Sequence, residues 1–214
     1  NVEAKAPVVE ASTTASQDVF YDDDSDNLPD DWEALYGLDS SQDDSSGDAD
    51  NDGLTNLEEY NNGTSPIDDD SDDDGMPDAW EVEEGTNPAL ADSDEDTDSD
   101  GISNGDEYTY GSDPTDDTSL PASPTANAGA DQTVNEGNTV SLNAGGSAAG
   151  SAPIQSYEWT QLSGETVTLS STTTATTSFS APVVLTGSVT LEFQIRVTDS
   201  LGLFETDSLT IVVK

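Results

Sequence analysis

Residues 48–60 read "DADNDGLTNLEEY" and place five carboxylates between Asp48 and Glu59. No Lys or Arg lies near enough to neutralise them. Such a segment either stays unfolded or is held by a cation that the chain itself does not supply. Spacing decides between these outcomes.

Three other stretches align with it: "DDDSDNLPDDWE" from Asp22, "DSDDDGMPDAWE" from Asp70 and "DTDSDGISNGDE" from Asp96. All four loops have Asp at positions 1, 3 and 5 and Glu at position 12. Position 6 is Gly, or Asn27 in the first loop. The loops start 26, 22 and 26 residues apart, which makes a two-loop unit of 48 residues used twice. A shift of 48 carries Pro29 to Pro77, Trp32 to Trp80, Gly37 to Gly85, Tyr60 to Tyr108 and Gly63 to Gly111. A disordered acidic tail needs no such register.

The spacing suits calcium, which takes six to eight oxygen ligands at about 2.3–2.6 Å. The candidate ligands of the first loop are Asp22, Asp24, Asp26, Leu28, Asp30 and Glu33. Those of the second are Asp48, Asp50, Asp52, Leu54, Asn56 and Glu59. The third loop offers Asp70, Asp72, Asp74, Met76, Asp78 and Glu81, and the fourth Asp96, Asp98, Asp100, Ile102, Asn104 and Glu107. Leu28, Leu54, Met76 and Ile102 offer only their main-chain carbonyls, so their side chains are free to be apolar. The residue at 6 must turn sharply, which suits Gly and tolerates Asn. Glu at 12 can give both oxygens from the first turns of a helix. About four or more calcium ions are expected. The acids at Asp43–Asp44, Asp68–Asp69 and Asp92–Asp94 are candidates for further ions between loops. Magnesium prefers strict octahedral geometry and retained water. Zinc and copper want His or Cys, and the chain has neither.

Short helices follow each loop. Pro29 and Pro77 sit near a first helical turn, and Gly37, Gly63, Gly85 and Gly111 read as C-caps. Trp32, Leu35, Tyr36, Leu57, Tyr60, Trp80, Val82, Tyr108 and Tyr110 are the expected narrow core. On "DNLPDDWEALYGLD", "DGLTNLEEYNNGTSP", "DGMPDAWEVEEGTNP" and "DGISNGDEYTYGSDP", the stretch Asp22–Asp117 resembles thrombospondin type 3 repeats of the cysteine-free kind found in secreted bacterial proteins. The resemblance implies loop-plus-helix units wrapped around calcium. Asn27 departs from the glycine of the family pattern. EF-hands and dockerins fit less well, because no amphipathic helix precedes each loop and the following helices lack a long apolar face.

After "TSLPASPTANAG" the acid runs stop. In "SVTLEFQIRVT", Val189, Leu191, Phe193, Ile195 and Val197 alternate with polar residues, as in a strand with one buried face. "IQSYEWTQL", "NTVSLNA" and "DSLTIVV" alternate too. About seven short strands are expected, a β-sandwich. On "ANAGADQTV", "SYEWTQLSG", "TSFSAP" and "FQIRVTDSLGLFETDSLTIVV", residues 124–214 resemble the polycystic-kidney-disease (PKD) family of immunoglobulin-like domains. That resemblance implies an extracellular stalk-like or adhesive module without catalytic residues, with Trp159 in the core.

The fold class is thus mainly β: a calcium-loop repeat region with short helices, then an immunoglobulin-like β-sandwich. The expected divisions are an N-terminal extended arm (1–21), four calcium-binding repeats (22–118), a linker (119–123) and the sandwich (124–214). In the arm, Val2, Ala4, Ala6 and Val8 alternate with Glu3, Lys5 and Pro7.

Composition bounds function. The chain has 47 acidic residues, 3 basic ones, no His and a formal charge of −44. Nucleic acid and anionic membranes are poor partners for it. No apolar run approaches the roughly 18–20 residues of a membrane span. There is no Cys, no nucleophile elbow and no phosphate loop, so no enzyme is expected. "NVEAKAPVVEAS" lacks a basic and an apolar leader region, so the expectation is a signal peptide already removed and an extracellular or cell-surface bacterial location. The leading reading is a secreted calcium-binding structural protein, the subunit of a fibre or surface assembly joined as a homo-oligomer through the arm. The alternative is an adhesion module for a glycan or matrix ligand. A calcium sensor is disfavoured, because extracellular modules bind at about 10⁻⁴–10⁻³ M and would be saturated outside cells.

Overall fold

The computed structural model describes residues 21–214, so the alternating arm lies outside the described residues. The chain divides into two compact units. One runs to Glu83 and includes Asn87–Ala91; the other comprises Glu84–Thr86 and Asp92–Lys214.

Four helices of seven residues each follow the acidic loops: α1 (Asp30–Tyr36), α2 (Asn56–Asn62), α3 (Asp78–Glu84) and α4 (Asn104–Tyr110). Helices of two turns are too short to persist alone, so their ends are fixed. Thr55 caps α2 in a capping box with Glu58, and the Ser103 side chain accepts from the Asp106 N–H at the start of α4. Pro29 is the N-cap of α1, one place before the first helical turn expected for it. Gly37, Gly63 and Gly111 close α1, α2 and α4 at φ 80°, 81° and 79°. Their N–H groups donate to the carbonyls of Glu33, Glu59 and Glu107. In these three units the glutamate whose carboxylate ends the loop therefore also anchors the helix cap.

The core of the repeats is not the aromatic row expected from sequence. Leu35 is 72% exposed, and Val82 and Tyr108 are also exposed. Leu28, Leu54, Met76 and Ile102 are the buried apolar side chains instead. Two-turn helices cannot bury a stripe several residues wide, whereas position 7 lies at the inner bend of each loop. Trp32 is half-buried and meets Tyr36 and Tyr60 at ring-centroid distances of 5.0 and 5.4 Å.

Six strands are described: β1 (Gln132–Val134), β2 (Thr139–Asn143), β3 (Ile154–Ser163), β4 (Thr176–Ser180), β5 (Val189–Asp199) and β6 (Phe204–Val213). They form one sheet in the order β1-β6-β5-β3 and a second in the order β2-β4. β1 runs parallel to β6; the other pairs are antiparallel. About seven strands were expected. Between β3 and β4 the chain is held by turns and side chains, including Ser170 N–H to the Ser178 carbonyl at 2.8 Å. The alternation along β5 is realised: Leu191, Phe193, Ile195 and Val197 are fully buried. Each such side chain contributes about 1.5–3 kcal/mol relative to exposure. Trp159 is 2% exposed, and its indole N–H donates to the Thr174 carbonyl. The Pro/Ser stretch before the sandwich is fastened to it, since Ala122 and Ser151 exchange hydrogen bonds.

Candidate metal centres

Each loop is shaped by its own carboxylates. The Asp at position 5 clamps the amide at position 7: Asp26 accepts from Leu28 at 2.8 Å, Asp52 from Leu54 at 2.7 Å, Asp74 from Met76 at 3.0 Å and Asp100 from Ile102 at 2.7 Å. The Asp at position 1 reaches across the turn. Asp22 accepts from Asp26 and Asn27, Asp70 from Asp74 and Gly75, and Asp96 from Ser99 and Gly101. Asp48 accepts from Asn51. Position 6 is left-handed throughout, including Asn27 at φ 77°. Position 4 is left-handed as well, at Ser25, Asn51, Asp73 and Ser99. Sequence reasoning missed this second bend. Its signal is the run of Ser, Asn and Asp, small polar residues that tolerate this backbone.

These bonds leave other oxygens over. Both carboxylate oxygens of Asp24, Glu33, Glu59 and Glu107 are buried without a hydrogen-bond partner among the described residues. So is one oxygen each of Asp44, Asp50, Asp52, Asp72, Asp98 and Asp100. Glu33, Glu59, Glu81 and Glu107 have no exposed surface. Burying an unpaired carboxylate is costly, and burying several together adds repulsion.

The pKa shifts follow. Burial pushes Glu33 up from 4.5 to about 7, with Asp24, Asp26 and Asp44 adding to it. Burial likewise pushes Glu59 up to about 8, with Asp50 and Asp52 next in effect. Glu107 rises to about 7, chiefly by burial, with Asp98 and Asp100 contributing. Asp24, Asp50, Asp72 and Asp98 are raised too, each by burial first.

The surplus oxygens converge. Asp22, Asp24 and Asp26 bring ligand atoms within 4.8 Å of one another, as do Asp48, Asp50 and Asp52, and Asp70, Asp72 and Asp74. Asp26, Glu33 and Asp44 form another such group. Two oxygens on one calcium lie at most about 5 Å apart, given Ca–O distances of about 2.3–2.6 Å. A hard dication would satisfy the orphaned oxygens and cancel their repulsion, so the donor set fits calcium.

Two features depart from a simple linear reading. The side chain at position 9 is engaged by the loop. Asp78 accepts from both the N–H and the hydroxyl of Ser71, Asp30 accepts from the Asp23 N–H, and Asn104 accepts from the Thr97 N–H. Asn56 donates to the Asp44 carbonyl at 2.9 Å. Asp44 itself stands among the first loop's acids although it lies 11 residues beyond Glu33. The 48-residue shift that carries Asp44 onto Asp92 is its signal in the sequence.

Two protein families match this chain. The bacterial TSP3 repeat family matches residues 48–68, 70–91 and 96–117. The K319L-like PKD domain family matches residues 128–213. No curated protein sequence matches the chain. Among solved structures, the PKD domain from the KIAA 1837 protein is 24% identical over 45% of this chain and 91% of its own, with a TM-score of 0.37. A nucleoside hydrolase-related hypothetical protein from Saccharophagus degradans is 19% identical over 47% of this chain and 28% of its own, with a TM-score of 0.37. The D00-D0 domain of intimin is 19% identical over 42% of this chain and 48% of its own, with a TM-score of 0.34. From the two family matches, the chain carries bacterial TSP3 repeats followed by a PKD domain.

Proposed function

We propose that this chain is an extracellular structural subunit whose acidic half becomes a rigid spacer on binding calcium, and that its N-terminal arm joins one copy to the next in a fibre. TSP3 repeats and PKD domains are non-catalytic modules of surface proteins, and calcium binding is a general property of TSP3 repeats. The observation that carries the reading is the burial of Glu33, Glu59 and Glu107, whose carboxylate oxygens have no hydrogen-bond partner among the described residues. No enzyme reads well on carboxylates placed this way, because a general acid or base needs a substrate pocket beside it.

All four loops take ions in this reading, the first included. Asn27 already holds the left-handed backbone that Gly holds elsewhere. Asp26 belongs to two carboxylate groups at once, one with Asp22 and Asp24 and one with Glu33 and Asp44. A pair of ions bridged by Asp26 suits that arrangement, and the total exceeds four. Native mass spectrometry at millimolar calcium gives the count; four or fewer bound ions removes the bridged pair, and fewer than three contradicts the reading as a whole. Electron microscopy of the purified chain in calcium tests the fibre. Filaments are expected, and dispersed monomers at every concentration sink that part.

An adhesive role is the second reading. Its support is the half-buried Trp32, Tyr36 and Tyr60 group beside the exposed Leu35, since such rings can stack on sugars. Glycan binding lost on Trp32→Ala at intact calcium stoichiometry would favour it.

A further inference from the structure

We propose that the outward edge of β2, at Thr139 and Ser141, is where a second copy's N-terminal arm adds as a strand. The proposal rests on the fibre reading above and names its acceptor.

The second sheet has two strands, so β2 and β4 are both edges. The edge of β4 is covered: Ser170 N–H donates to the Ser178 carbonyl, and Ser178 N–H donates to the Ser170 hydroxyl at 3.0 Å. The edge of β2 is different. Its register with β4 pairs Val140 with Phe179 and Leu142 with Thr177. At the two ends of this ladder, Ala144 N–H donates to the Ala175 carbonyl and Ala181 N–H to the Asn138 carbonyl. Hydrogen-bonded pairs in an antiparallel ladder recur every second residue. The even-numbered residues of β2 therefore bond β4, and the main-chain groups of Thr139, Ser141 and Asn143 face away.

Along that edge the Gln132 side chain donates to the Ser141 carbonyl at 2.9 Å. One flexible side chain is easily displaced. At the far end the main chain at Gly129 approaches the Asn143 carbonyl, since a Cβ there would lie 3.3 Å from it. The open stretch is therefore Thr139 to Ser141. Exposed edges invite pairing with another chain unless something blunts them, and a two-stranded sheet gains most from a third strand.

Two features of the arm select it as occupant. Its charge is low: residues 1–12 hold Glu3, Lys5 and Glu10, whereas residues 22–117 hold 36 acids and no base. A second copy of a chain carrying −44 repels the arm least. Its single proline, Pro7, is the second feature. Along a strand, main-chain groups point alternately to either side. Pro7 lacks an N–H and can sit only where its N side faces away from the partner. In the proposed pairing the main-chain groups of Glu3, Lys5 and Pro7 would face outward and the amides of Ala4 and Ala6 would face β2.

The test uses the chain lacking Asn1–Ser12, in calcium, with a synthetic Asn1–Ser12 peptide and hydrogen exchange as readout. The Thr139 and Ser141 amides should slow by about tenfold or more on adding peptide. A peptide with Lys5→Pro should still protect them and one with Ala6→Pro should not. Ser141→Pro in the acceptor removes an outward N–H without touching the bonds to β4, and it should abolish protection of Thr139. No protection by the native peptide overturns the proposal. If the full chain still forms filaments that the truncated chain does not, the arm docks elsewhere and only the β2 site falls. If the edge is protected in the full chain at all concentrations while it stays monomeric, the arm folds onto its own sandwich, and both the site's second-copy occupant and the fibre fall.

Discussion

The repeats and the sandwich bury opposite chemistries. At the centre of the sandwich lie Trp159, Leu191, Phe193 and Ile195; in the repeats the fully buried side chains include Glu33, Glu59, Glu81 and Glu107. Residues 22–117 hold 36 of the 47 acids, and residues 124–214 hold eight. The sandwich closes on apolar surface removed from water, which needs no partner from outside. In the proposed reading, burial in the repeats works against folding until a cation is bound, and the same carboxylates are then its contacts, so that binding free energy in that half is folding free energy. The two halves should therefore answer differently to every perturbation that separates charge from apolar packing.

Calcium removal should have the largest effect. With a chelator, residues 22–117 should lose their helical signal and expand, while the β-sandwich around Trp159 stays folded. Circular dichroism and hydrodynamic radius report both together. An unchanged radius and spectrum would mean that the repeats stand without metal, and the contrast between the halves would fail. The reciprocal change is Trp159→Ala, which should cost the sandwich about 3–5 kcal/mol. It should leave the calcium-dependent transition of the first two loops in place. If both transitions move together, the halves are one cooperative unit.

Single glutamates come next. Glu59→Gln keeps the shape of the side chain and removes its charge. It should lose an ion from the second loop and weaken calcium binding there by tenfold or more, about 1.4 kcal/mol, as read by isothermal titration. Glu58→Gln, on an exposed side chain of the same helix, should leave the ion count unchanged. Equal effects at the two positions would remove Glu59 from the ligand set.

Proton binding sharpens the contrast. In the calcium-free chain Glu33, Glu59 and Glu107 are raised from 4.5 to about 7, 8 and 7. The folded state then holds more protons than the unfolded state between those values, so stability rises as pH falls. The contribution is complete below about 4.5 and is lost as pH rises through about 7 to 8. Metal-free repeats should accordingly gain helical signal between pH 8 and 5. Calcium affinity should fall over the same interval, because protons compete for the same oxygens. A metal-free helical signal that falls on acidification would reverse the sign and exclude these glutamates as its source.

How far the sequence reveals each half depends on the range of its determinants. The loop pattern is a local object: Asp at 1, 3 and 5 and Glu at 12 lie within twelve residues, so the four acidic loops could be placed from spacing alone. The sandwich strands were legible for the same reason, because alternation such as Leu191, Phe193, Ile195 and Val197 is a property of neighbouring residues. What escaped is set by distance or by competition. Asp44 joins Asp26 and Glu33 only once the chain folds back, and adjacency in sequence does not report that. Leu28, Leu54, Met76 and Ile102 read as bystanders at a carbonyl position, yet they are the apolar core of the repeats. Asp78 reads as a ligand by its place in the loop, while both of its oxygens are held by Ser71.

The smallest effect is expected at Asn27, where the first loop departs from glycine. Its backbone stands at φ 77°, against 115°, 95° and 101° at Gly53, Gly75 and Gly101. Among residues with a side chain, Asn adopts this region at low cost, because its short polar group bonds locally. Here its amide donates to the Asp26 carbonyl at 2.8 Å. Asn27→Gly relieves the remaining Cβ strain and loses that one bond, so calcium affinity at the first loop should change by less than about threefold. Asn27→Ala keeps the Cβ and loses the bond, at a cost of about 1–2 kcal/mol, which weakens the first site by about five- to thirtyfold. Calcium titration of both variants against the native chain, with Asn51 and Gly53 of the second loop untouched as internal reference, reads the difference. Equal affinities for the Gly and Ala variants would show that the turn at position 6 does not limit ion binding in the first loop. The distinction between this loop and the three matched by family would then lie in its ligands rather than in its backbone.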